Sequence, residues 1–92
     1  MKRDKITKSL KGFKGTESLS NNQVVVTFDN AVIFASYGTL IAIKKDSKLY
    51  VTEDYDYSRT TSKYLNQFCG WTSKEVTKEL ENKNPNIVLL KW

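Results

Sequence analysis

Between Tyr55 and Tyr64 the chain reads YDYSRTTSKY, which places three tyrosines, two cations and a run of hydroxyls within ten residues. At the start of a helix, the hydroxyls of Thr60, Thr61 and Ser62 would stand beside the unpaired N–H donors of the first turn, and Arg59 and Lys63 would add positive charge. Such a combination suits a phosphate. Tyr55, Tyr57 and Tyr64 offer flat faces on which a nucleobase can stack. The same residues also have a plainer account, in which Thr60 or Thr61 caps the helix, the tyrosines fill the seam between sheet and helix, and the cations are simply solvated. The candidate binding residues are therefore Tyr55, Tyr57, Arg59, Thr60, Thr61, Ser62, Lys63 and Tyr64, with both readings open at this level.

Other chemistry has less to work with. The chain has no histidine and one cysteine, so imidazole bases, imidazole metal ligands and Cys/His nucleophile pairs are all absent. Glu53, Asp54 and Asp56 are close enough in sequence to pair as carboxylates, but strand alternation would place Asp54 and Asp56 together on a solvated face. No phosphate-binding glycine loop, no dinucleotide fingerprint and no nucleophile-elbow serine occurs. The expectation is a non-catalytic protein without metal or cofactor.

Charge points toward anions. The chain carries 15 Lys and Arg against 10 Asp and Glu, a net +5. Most of the excess lies in residues 1–22, where Lys2, Arg3, Lys5, Lys8, Lys11 and Lys14 face only Asp4 and Glu17. A basic segment of this kind attracts polyanions through counterion release, and it can equally serve solubility alone. No apolar run is long enough to span a bilayer, the N-terminus lacks the apolar core of a signal peptide, and lone Cys69 cannot form an internal disulfide. These features predict a cytoplasmic protein with no membrane partner.

The elements that would hold the candidate site can be read from periodicity, within a single domain over 1–92. Ile6, Leu10 and Phe13 have helical spacing and predict a short amphipathic helix over 3–12, stopped by Gly12 and Gly15, with 16–23 as a polar connector closing the basic segment 1–22. From Gln23 to Thr52 the runs QVVVTF, AVIFAS, TLIAIK and LYVT are separated by short polar turns, which predicts a four-stranded antiparallel meander. The consecutive apolar positions in VVV and VIFA require cover on both sheet faces, and a homodimer is one way to provide it. A helical pair should fill 60–83, with Gly70 ending the first helix and Thr72 and Glu75 forming a capping box on the second. After Pro85, residues 86–92 predict a fifth strand, with Trp92 closing over an edge. The fold class is thus α+β: an antiparallel meander of four to five strands with two or three short helices packed on it.

The run 32–68 contains Tyr37-Gly38-Thr39 with Ile41-Ala42, then Tyr50-Val51-Thr52, then Tyr57-Ser58, Thr60-Thr61-Ser62-Lys63, Leu65 and Asn66. In these motifs it resembles a family of short bacteriophage-encoded proteins to which no activity is assigned. The flanking segments carry no such likeness. The resemblance implies a phage context and no catalytic role. By analogy with small phage proteins, it suggests a binding protein that acts inside a bacterial host as a counter-defence or host-takeover factor. Its ligand would be a phosphate-bearing nucleic acid or nucleotide. The alternative is a protein–protein inhibitor of a host enzyme or defence complex, acting through an exposed strand edge or the aromatic surface around Trp71 and Trp92.

Overall fold

The fold is described from a computed structural model covering residues 2–20 and 22–91. The chain forms α1 (Arg3–Thr7), β1 (Phe13–Ser18), β2 (Gln23–Phe28), β3 (Val32–Ser36), β4 (Thr39–Lys45), β5 (Lys48–Thr52), α2 (Arg59–Cys69), α3 (Ser73–Glu81) and β6 (Ile87–Leu90). All six strands join one sheet in sequential order, β1 to β6. It is an α+β architecture, with one more strand than the four or five expected.

Turn chemistry sets the meander. Tyr37 and Gly38 between β3 and β4, and Asp46 and Ser47 between β4 and β5, all have positive φ, the conformation that closes a two-residue hairpin in step with strand twist. Strands β1 to β5 therefore pair antiparallel with their neighbours. Strand β6 instead lies parallel to β5, Leu49 opposite Ile87 and Val51 opposite Leu89. A parallel neighbour needs a long crossover, and the α2–α3 pair provides it. The register of β3 on β4 shifts between Phe34 and Ala35. This bulge lets Ile41 and Ala42, adjacent in sequence, both join the core beneath the helices.

The sheet is covered unequally on its two faces. Phe34, Ile41, Ala42, Leu49, Val51 and Ile87 pack against Tyr64 and Leu65 of α2 and Val76 of α3. On the other face, Ile6 of α1 packs with Ala31, Ile43, Tyr50 and Leu90, and Leu10 lies against them. Val24, Val25 and Val26 are only half-buried. The cover expected over VVV thus comes from within the chain for part of the sheet, and is incomplete toward β1.

Three sequence expectations are corrected. The first helix ends at Thr7, not near residue 12, and Phe13 leaves its stripe to begin β1. Beyond it Gly12, at φ +72, packs so closely on Asp29 that a Cβ there would run into the carboxylate. The Asp29 amide in turn donates to the carbonyls of Lys11 and Gly12 at 3.0 and 2.9 Å, so the chain is turned onto the sheet there. Residues 16–18, expected in the connector, belong to that same strand. Glu53 to Asp56 form turns after β5, not an alternating strand end, because the chain must lift off the sheet to start the crossover. The cap of α2 is a further correction, taken up below. Trp92 lies outside the described residues.

Candidate functional site

Helix α2 runs along the sheet from the Tyr37–Gly38 turn, where Thr61 meets Ser36, to the Asp46–Ser47 turn, where Phe68 meets Lys44. Its two ends form two different environments. At the N-terminal end the cap is Ser58, not Thr60 or Thr61: the Ser58 Oγ accepts from the Thr61 amide at 3.1 Å. Ser58 wins because it alone has extended backbone just before the first helical residue, with φ −153 and ψ 164.

The eight candidate residues separate into two groups. Thr61 is fully buried, its hydroxyl 2.9 Å from Ser36 Oγ and 3.0 Å from Ser58 Oγ. Tyr64 is buried in the core, and Tyr55 packs against that core with its hydroxyl bonded to Thr77 Oγ1. These three are held inside the fold, so the three-tyrosine stacking platform is not assembled. Tyr57 is 57% exposed. Arg59 and Lys63 are exposed and Thr60 and Ser62 half-buried. Arg59, Ser62, Lys63 and Asn66 form one flank of α2, bordering a shallow recess of about 450 Å³ that extends to Thr72 and Ser73 at the start of α3. Asp56 also borders it, so the recess carries two cations against one carboxylate.

The basic N-terminal segment begins toward this end and crosses to the other, where the Lys11 amide donates to Asn30 Oδ1 and Asn30 Nδ2 donates to the Ser9 carbonyl. Arg3 is buried and pairs with Asp54 at 3.8 Å, tying α1 to the turns that lead into α2. Lys2, Lys5 and Lys8 are exposed, and with Asp4 they border a recess of their own. Lys14 faces Asp29 at 3.5 Å. Of the acidic trio, Glu53 and Asp56 are exposed and Asp54 is half-buried against Arg3. Among the described residues, no group of three His, Cys, Asp or Glu side chains is placed to hold a metal ion.

The opposite end of α2 holds a larger recess of about 680 Å³, between the β2–β3 and β4–β5 turns, Trp71 and the link from α3 to β6. Lys44 lines it with its ammonium fixed, donating to the Phe68 carbonyl at 2.9 Å and lying 4.5 Å from the centre of the Phe68 ring. Cys69 is half-buried there; burial pushes its thiol above the ordinary value, while its contact with the Trp71 carbonyl and the charge of Lys44 pull the other way. A thiol shifted this way stays protonated near neutral pH. Lys44, Trp71 and Asn86 are far apart in sequence, so no local motif announces this recess.

The architecture defines a class: a small α+β domain with one six-stranded sheet, a helical crossover and polar recesses at both ends of the crossover helix. The family model of DUF8033, a family of unknown function, matches residues 1–83, and the chain belongs to that family. The match takes in β1 to β5 and all three helices and stops before β6. No curated protein and no solved structure matches the chain. Among the described residues, no helix is long and apolar enough to cross a membrane.

Proposed function

We propose that this chain is a non-catalytic binding protein for a phosphate-bearing ligand, a nucleic acid or nucleotide, and that it works in a phage context inside a bacterial host. The observation that carries the reading is the flank of α2 on which exposed Arg59 and Lys63 stand beside Ser62 and Asn66, open to solvent along one recess. Arg59 supplies a planar set of donors for phosphate oxygens and Lys63 a mobile point charge. Tyr57, next to the cap, is the tyrosine left with an exposed ring for stacking. Lys2, Lys5 and Lys8 add longer-range attraction.

The test is fluorescence anisotropy with labelled single-stranded RNA, single-stranded DNA and a cyclic nucleotide, each followed from low to physiological salt. Binding should weaken as salt rises, and Arg59→Ala should weaken it about tenfold, the worth of one charge-assisted contact. If none of the three probes binds at low salt, the reading fails.

A second reading is favoured by β1. It is one of the two outer strands of the sheet, and Phe13 on it is 64% exposed, touching Phe28 edge-on with ring centres 5.8 Å apart. An open strand edge with an aromatic beside it suits docking of a host protein by strand addition, or pairing with a second copy. Light scattering distinguishes the copy from the host protein, and Phe13→Ser should abolish either association while leaving oligonucleotide binding intact.

A further inference from the structure

We propose that the 680 Å³ recess at the Asp46–Ser47 end of the sheet is a pocket for a small anion with a flat ring, of the nucleoside monophosphate type, its phosphate held by Lys44 and its ring stacked by Trp71. The proposal goes beyond the function argued above, which places its ligand at the other end of α2. Its volume falls within the range of clefts that take small organic ligands, roughly 300–1,000 Å³. The polar groups around the recess are unevenly neutralised. Asp46 is committed to Lys45 at 2.7 Å, and Asp29 faces Lys14 at 3.5 Å. Lys44 is bonded to a neutral carbonyl, which fixes the ammonium without cancelling its charge and leaves two of its three donors for a ligand. Lys48 also borders the recess, but it pairs with Lys45 across the hairpin, on the sheet face opposite Lys44. The Lys44 ammonium thus remains for a phosphate on the face that carries Trp71.

The remaining lining suits a flat ring. Trp71 is half-buried, Leu49 is buried, and the protonated Cys69 thiol presents sulfur without charge. Asn86 lines the recess with a side-chain amide that can donate and accept along a base edge, and its backbone is held by Asn84 Oδ1 at 2.9 Å. An inorganic anion would leave the apolar lining unused, and an uncharged aromatic would leave the Lys44 ammonium without a counter-charge. A nucleoside monophosphate uses both.

The experiment is an amide NMR titration of the full chain with AMP, alongside adenosine and inorganic phosphate as probes of the ring and the charge alone. AMP should give saturable shifts confined to residues 44–49, 69–71 and 84–86, and should bind about tenfold or more tightly than either fragment. Lys44→Gln, which keeps an N–H donor for the Phe68 carbonyl and removes the charge, should weaken AMP several-fold without altering the rest of the spectrum. No saturable AMP shift at millimolar ligand would overturn the proposal, as would a Lys44→Gln variant that binds AMP unchanged. Shifts at 58–66 alone would also overturn it while sustaining the reading at Arg59 and Lys63; shifts at the recess alone would support it, and the oligonucleotide titration decides the other reading separately.

Discussion

Thr61 is the residue at which the structural and ligand-binding accounts of the opening motif make opposite demands. Its Oγ1 meets two hydroxyls, Ser36 at 2.9 Å and Ser58 at 3.0 Å, in a fully enclosed position. Thr61→Val keeps the shape and removes that oxygen. Ser58 still accepts from the Thr61 amide, so the helix cap survives and the cost falls on the buried Ser36 hydroxyl. An orphaned buried hydroxyl costs about 1–3 kcal/mol, and the added methyl returns roughly 0.8 kcal/mol in apolar burial, leaving a net loss of about 0.2–2 kcal/mol. For a domain of this size that lowers Tm by up to roughly 15 °C. Urea unfolding followed by circular dichroism measures the free energy directly. Ser36→Ala combined with Thr61→Val removes both polar partners, so the double variant should be more stable than Thr61→Val alone. A Thr61→Val protein that unfolds at the wild-type urea midpoint yet loses oligonucleotide binding would refute this reasoning and return Thr61 to the ligand site.

Two further outcomes follow from the second half of the chain. Thr72→Ala removes the oxygen that accepts from the Glu75 amide at 3.2 Å and should cost about 1 kcal/mol, read as a lower urea midpoint. Cys69 should react slowly with iodoacetamide near neutral pH by mass spectrometry, because burial keeps its thiol protonated. Its raised value in the folded chain also sets a sign: the unfolded chain ionises first as pH rises, so this contribution to stability is intact below the ordinary thiol pKa. It is lost as pH climbs through the folded one. An alkylation rate equal to that of an unstructured cysteine peptide would contradict the burial.

Much of the sheet was legible because its punctuation is local. Tyr37-Gly38 and Asp46-Ser47 each force a two-residue turn, and once two hairpins are fixed the alternation of the flanking strands sets their register. The capping box at Thr72 and Glu75 and the left-handed Gly70 were legible for the same reason. Strand β1 was not. FKGTES has one large apolar side chain and is exposed over most of its length, so no burial imposes a period on it; the strand exists because β2 offers it a partner. The α2 cap was missed because Ser58, Thr60, Thr61 and Ser62 are all competent cap residues. Only the direction from which the chain leaves the β5 turn decides among them.

The candidate site was legible in type but not in arrangement, and α2 explains why. A helix laid on a sheet must bury one flank, and the flank that carries Thr61, Tyr64 and Leu65 is the one turned inward. Three of the eight candidate residues, Thr61, Tyr64 and Tyr55, are thereby spent on folding. The cations at 59 and 63 stay on the solvent flank, one turn apart, because neither can be buried without a partner. At the far end the same geometry works the other way. The last carbonyls of α2 need donors, and Lys44 supplies one to Phe68 from the neighbouring strand, bringing an ammonium to the edge of a recess whose two carboxylates, Asp29 and Asp46, face Lys14 and Lys45. Lys44 therefore completes a helix terminus and leaves charge beside Trp71 in a single contact. Any ligand at that end must bind without displacing it from the Phe68 carbonyl, which favours an anion that uses the two remaining ammonium hydrogens over one that requires all three.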